Sequence, residues 1–211
     1  HSPMDGDGLG CGLALKRAFE ATGKKVVLVT EAPVPPVYAF LPGYESIVVL
    51  GKAPVPRADL IVALDAGGPD RLGRVLSERP KGTRIVNIDH HVSNESYGDL
   101  NWIDAAAAAV GEQAYLLLKE GGWRIDAVAA QCLLVALVTD TGRFCYSSTT
   151  PRTLEIAVAS SAPNPVPTPT VVRPTPRWLA ARAMPMKLSL PVAPTLGRSS
   201  VKSMRRVRPL K

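Results

Sequence analysis

The sequence predicts an α/β domain over residues 1–160, a parallel sheet with helices on both faces, and a disordered Pro-rich basic tail over 161–211. Three observations carry that reading. Strand-like and helix-like segments alternate along the first 160 residues. The strands are continuous apolar runs, as expected when a strand is buried on both faces. From Ser160 onward the composition turns to proline and basic residues, which cannot bury a core.

Leu9 to Thr22 reads as the first helix, with Leu13, Arg17 and Glu20 spaced along it and Gly23 as its stop. Ahead of it, Gly6 and Gly8 are expected to turn the chain tightly in a loop, so that Asp5 and Asp7 point the same way. Lys25 to Thr30 is a β-branched run and reads as a buried strand. Ile47 to Leu50 is a second strand and Asp59 to Asp65 a third. Arg84 to Asp89 is a fourth; the third and fourth both end in aspartate. Helices are expected at about 106–120, stopped by Gly121-Gly122, and at 126–138. Thr150-Pro151 reads as an N-cap and first-turn proline opening a last helix to about Ala159.

A chain of 211 residues is long enough for one domain with a real core. Its net charge of +7 belongs to one end. Of its 25 basic residues ten follow Glu155, with no acid among them; the other 15 face all 18 acidic residues, so the body is mildly acidic. Ten of the 20 prolines lie between Pro163 and Pro209. The tail therefore reads as extended, solvated chain. A nucleic-acid arm is the competing reading, and the scarcity of aromatic residues for base stacking weighs against it. No apolar run reaches membrane-spanning length and no signal peptide is visible. Cys11, Cys132 and Cys145 show neither finger spacing nor a disulfide framework, so a cytoplasmic setting is expected. Cys11 and Cys132 fall within helices and read as small core residues.

All three histidines stand beside carboxylates, in His1-Ser-Pro-Met-Asp5-Gly-Asp7 and Asp89-His90-His91. Ligands in open parallel sheets bind beyond the carboxyl ends of the strands, which is where Asp65, Asp89 and the histidine pair fall. Asp140 ends an apolar helix, an unfavourable place for an anion unless a cation compensates it. Mixed histidine and aspartate ligands suit Mn²⁺, with Zn²⁺ or Fe²⁺ as competitors. Two such ions roughly 3.5–4 Å apart can stabilise both the attacking and leaving oxygens of an in-line displacement. Gly6-x-Gly8-x-Gly10 also suggests a dinucleotide loop, but no strand precedes it, and that fold has no use for Asp5, Asp7 or the histidines. Adjacent residues leaving a strand point in different directions, so His90 and His91 are expected to serve different partners.

Taken in order, these segments resemble the DHH phosphoesterase superfamily, in its RecJ-like branch. Within that branch they look most like the bacterial nanoRNase and phosphoadenosine-phosphate phosphatase group. The resemblance rests on His1 to Gly10, Phe40-Leu-Pro-Gly43, Leu64-Asp65, Val86 to Asn94, Val138 to Phe144 and Tyr146 to Arg152, and covers about residues 1–159. It implies that His1, Asp5 and Asp65 hold one Mn²⁺ and that Asp7, Asp65, His90 and Asp140 hold another, with Asp65 bridging. It implies that Asp89 orients a histidine, and that His91 contacts the scissile phosphate or donates a proton to the leaving oxygen. The implied substrates are short RNA or the 3′-phosphate of adenosine 3′,5′-bisphosphate. Inorganic pyrophosphate, a cyclic dinucleotide, and an inactive metal-binding or nucleic-acid-binding fragment are the alternatives. No membrane partner is implied, and a homodimer is compatible with the reading. Members of the family carry a strand before the first motif and a C-terminal substrate domain. Neither is recognisable here, so the sequence reads as an N-terminally truncated form.

Overall fold

A computed structural model of the chain describes residues 4–161. His1 and the tail from residue 162 lie outside the described residues. Among the described residues there are five strands: β1 (Val29–Thr30), β2 (Val48–Val49), β3 (Leu60–Leu64), β4 (Arg84–Asp89) and β5 (Leu100–Ile103). The α-helices are α1 (Gly6–Glu20), α2 (Arg74–Ser77), α3 (Val110–Glu120), α4 (Ala127–Asp140) and α5 (Pro151–Ser161). All strand pairs are parallel, in one two-stranded sheet, β1-β2, and one three-stranded sheet, β3-β4-β5.

Strand alternation divides the core. Val62, Leu64, Val86 and Ile88 face the layer of α1, α3 and α4, where Leu9, Leu13, Leu118 and Leu133 are buried. Ile61, Ala63 and Ile85 face the opposite side, covered by Leu72, Leu76 and Tyr97. Helices thus cover both faces, but unequally: the long helices stack on one side, and a short 3₁₀ turn (Pro69–Leu72) with α2 covers the other. A third cluster joins Ala109 and Leu137 to Ile156 and Ala157 of α5. Truncating a fully buried leucine such as Leu133 to alanine costs roughly 2–5 kcal/mol.

Several elements differ from the sequence reading. The helix α1 starts at Gly6, because Asp5 caps it by accepting from the amides of Asp7 and Gly8, both at 3.1 Å. The early glycines are therefore helical and do not form a turn. What they supply is close approach. A Cβ on Gly10 would stand 2.3 Å from the Cys132 carbonyl oxygen, and one on Gly6 would stand 2.1 Å from Thr139 Oγ1. Small residues thus let α1 press against the end of α4 that carries Asp140. β1 is two residues long where six are expected, since its pairing with β2 reaches back only to the Leu28 carbonyl, which accepts from Val48 N. β5 escapes the sequence reading: Leu100-Asn-Trp-Ile is short and lacks a β-branched run. α3 opens at Val110, not near 106, and Ala105 to Ala109 form the loop before it. The boundaries of β4 agree with expectation. α4 is capped by Asp126, which accepts from Ala129 N, and α5 by reciprocal bonds between Thr150 and Thr153.

Candidate metal centre

The carboxyl ends of β3 and β4, the first turn of α1 and the last residue of α4 meet at one place. Asp7 is fully buried in the first turn of α1. Its carboxylate accepts from Val110 N at 2.6 Å, Gly111 N at 2.9 Å and Cys11 Sγ at 3.4 Å. It therefore caps α3 from a different helix, where Ala109 has no side-chain group to do so. Asp65 directly follows β3 with φ 55°, the left-handed region that few non-glycine residues adopt. Its amide bonds the Ile88 carbonyl, which anchors it beside β4.

His90 and His91 leave β4 with different Nδ1 partners. His90 Nδ1 donates to the Ala107 carbonyl at 3.1 Å, which turns Nε2 toward Asp140 Oδ2 at 3.1 Å. His91 Nδ1 donates to Asp89 Oδ1 at 2.8 Å. Such second bonds fix the tautomer and aim the remaining nitrogen. The partners differ as expected, but the rings stay together, edge to face with centroids 4.8 Å apart. Both histidines lie 3.6 Å from the same oxygen, Asp65 Oδ1. They stand closer than strand direction alone suggests, because the regular strand ends at Asp89, just before them.

One ligand atom each from Asp7, His90 and Asp140 lies within 4.8 Å of the others, and the same holds for Asp65, His90 and His91. His90 is common to both groups. Asp5 stands beside them as the cap of α1, and His1 lies outside the described residues. The donor set suits a divalent cation. Burial, then the Asp140 charge, pushes Asp7 up to about 7. Burial, then the charges of Asp7, Asp5 and Asp140, pushes Asp65 up to about 9. His90 moves the other way from what burial alone would do: Asp140, the Ala107 carbonyl and the nearby carboxylates raise it to about 9. Without a cation these groups hold protons against one another, and a metal ion would take their place.

Asp89 is as buried as Asp7, yet its carboxyl is held below the ordinary range. Burial pushes it up, and the Asn94 amide, His91 and the His90 backbone together outweigh that push. Asn94 is the residue whose part the sequence reading did not assign. Its Nδ2 donates to Asp89 Oδ2 at 2.5 Å and to Ala66 O at 3.2 Å, and its Oδ1 accepts from Asn87 and Ser96. An asparagine three residues after a histidine pair is the only signal of this. Cys11 and Cys132 are buried, and burial pushes both thiols up, which agrees with a packing role.

The model of the DHH family, N-terminal domain, matches residues 1–137. The chain belongs to the DHH family. Over 160 residues this DHH chain is 35% identical to the bifunctional oligoribonuclease and PAP phosphatase NrnA of Thermus thermophilus, covering 74% of this chain and 46% of that protein. Over 101 residues it is 37% identical to the protein of the same name from Bacillus subtilis, covering 46% of this chain and 32% of that one. In fold it is similar to an exopolyphosphatase-related protein from Bacteroides fragilis, with TM-score 0.68 and 22% identity over 75% of this chain and 50% of that one. It is also similar to a putative family II inorganic pyrophosphatase from Methanococcus jannaschii, with TM-score 0.57 and 16% identity over 74% and 52%. The chain spans about half the length, or less, of the relatives it matches. Asp140 and α5 lie beyond the matched DHH residues. Among the described residues no helix is long and apolar enough to cross a membrane.

Proposed function

We propose that this chain carries the catalytic part of a Mn²⁺-dependent phosphoesterase. Its substrates are short oligoribonucleotides, the 3′-phosphate of adenosine 3′,5′-bisphosphate, or both. The observation that carries the reading is the convergence of Asp7, Asp65, His90 and Asp140 beside a histidine, His91, that is held from behind by Asp89. The names of the relatives that match across 46% and 74% of the chain supply the substrate class.

Asp7, Asp65, His90 and Asp140 would hold the metal, with His1 and Asp5 completing a second position. Bound there, divalent cations polarise a phosphoryl oxygen and stabilise charge on the attacking and leaving oxygens. The chain's own residues do the rest. Ala107 fixes His90 so that Nε2 faces the carboxylates. Asp89 fixes His91 through Nδ1, and the His91 side chain is 42% exposed. His91 Nε2 is then the atom placed to meet a phosphate oxygen or to pass a proton to the leaving oxygen. Asn94 keeps the Asp89 carboxylate in place.

Purified protein assayed with Mn²⁺ on a ribodinucleotide, adenosine 3′,5′-bisphosphate and inorganic pyrophosphate tests this. Release of mononucleotide or of the 3′-phosphate supports it. Hydrolysis of pyrophosphate alone moves the substrate to the second reading, the one suggested by the fold shared with a putative pyrophosphatase.

A further inference from the structure

Residues 104–112 touch the candidate site at three points. Asp104 N donates to the Asp89 carbonyl at 3.0 Å, the Ala107 carbonyl accepts from His90 Nδ1, and the amides of Val110 and Gly111 hold Asp7. Yet residues 105–109 are five consecutive alanines, whose side chains can pack, as Ala109 does against Leu137, Ile156 and Ala157, but cannot hydrogen-bond. Polar side chains can therefore set its geometry only from its ends. Those ends are Asp104 and Glu112, and one side chain from α5 reaches both. Arg152 Nε donates to Glu112 Oε2 at 2.5 Å, and its second amino group donates to Asp104 Oδ2 at 3.2 Å. Glu112 is fully buried and also accepts from Thr153 Oγ1 at 2.5 Å and from Ala108 N, inside the loop, at 3.3 Å. Burying a carboxylate against a guanidinium gains little stability over an apolar pair of similar volume. Stability is therefore a poor explanation for this arrangement, and spacing is a better one. A planar guanidinium can bridge two carboxylates at a set distance.

We propose that Arg152 is a positioning residue of the metal centre: by bridging Asp104 and Glu112 it sets the polyalanine loop so that the Ala107 carbonyl meets His90 and the Val110 and Gly111 amides meet Asp7. This rests on the reading of Asp7 and His90 as metal ligands. α5 thus belongs to the site without touching it.

The test is Mn²⁺ titration calorimetry on the full chain, with thermal unfolding as the control for folding. A second readout is the NMR signal of the His90 Nδ1 proton, assigned by its loss in His90→Ala and shielded from exchange by the Ala107 carbonyl. The paired variant Glu112→Gln/Arg152→Met leaves no unpaired buried charge at position 112. It is expected to fold while Mn²⁺ affinity drops about 10–100-fold, the range typical of lost outer-shell support, and the His90 proton signal exchanges away. Arg152→Lys keeps a cation against Glu112, so it keeps the fold, but a point charge cannot bridge both carboxylates; the same two losses are expected. Glu155→Gln, exposed on α5 and outside the bridge, is expected to keep wild-type affinity. Either Arg152 variant, folded and with wild-type affinity and a retained His90 signal, overturns the proposal. Should the paired variant not fold, Arg152→Lys decides by the same readouts. A wild-type protein that binds no Mn²⁺ overturns the metal reading instead, and the His90 signal then tests the bridge by itself.

Discussion

Asp7 and Asp89 are both fully buried carboxylates at one end of the sheet, and they titrate in opposite directions. Asp7 accepts two backbone amides and a thiol, but burial, then the charge of Asp140 across the site, pushes it up to about 7. Asp89 is met by donors instead: Asn94, His91 and the His90 backbone hold it below the ordinary range. Neither side chain reaches solvent, but burial weighs more heavily on Asp7, and the neighbours differ as well. Asp7 adds to burial the repulsion of Asp140, which His90 offsets only in part and a cation would relieve, whereas Asp89 already has its donors. The first is built as a ligand and the second as a support.

The coarsest way to break this contrast is to remove the metal. Excess chelator is expected to abolish phosphoesterase activity and Mn²⁺ to restore it best; activity unchanged in chelator would leave Asp7 without its supposed purpose. Next comes Asp65→Asn. At neutral pH, without metal, the raised Asp65 carboxyl is protonated, and asparagine resembles that form. The metal-free Tm should therefore hold while Mn²⁺ affinity collapses and the rate falls by about 10³, the equivalent of several kcal/mol of charge stabilisation. Asp70→Asn, on an exposed turn, should be mild. Equal losses in the two would reduce Asp65 to a turn residue.

Asp89→Asn should show the reverse pattern. It removes a charge accepting from Asn94 and His91, so stability drops by roughly 1.5–3 kcal/mol. Bound metal, measured on the purified protein, should fall less than in Asp65→Asn, with turnover reduced about 10–100-fold. A metal content as low as that of Asp65→Asn would erase the division between ligand and support.

The smallest expected effect is on the pH dependence of the metal-free protein. Asp7 and Asp65 are raised above their ordinary values, so between about pH 4 and 9 the folded state holds more protons than the unfolded one. Stability then falls as pH rises through that window. His90, raised to about 9, acts in the same direction: its contribution is complete below about pH 6.5 and is lost through pH 9. Asp89, being lowered, acts oppositely and only in acid, where its contribution is lost as pH falls below its ordinary value. The metal-free Tm should drop by about 5 °C or more from pH 5 to pH 9, and the drop should shrink with Mn²⁺ bound. The same slope with and without metal would show that protons and metal do not compete for this site.

Most of the site's inventory was legible in the sequence, since carboxylates at strand ends and histidines beside acids are local patterns. Asp7, Asp65, His90, His91 and Asp140 come together in two overlapping groups, and Asp5 caps α1. Less legible was what surrounds them. The helical start at Gly6 was hidden because glycines read as turn formers, whereas here they answer a neighbouring helix. β5 was hidden because four residues give too little periodicity. Asn94 and Glu112 were hidden because a polar residue's burial depends on what packs around it.

The sequence by itself determined the α/β alternation, the aspartates at the strand ends and the cap of α5, because each depends on residues only a few positions apart. Only the tertiary structure decided that α3 would offer its amides to Asp7 across 103 residues, that both histidines would reach Asp65, and that Arg152 would join Asp104 to Glu112. The physical reason is that hydrogen-bond and charge partners are chosen by distance in space, and chain spacing carries that information only within a turn of helix or along a strand.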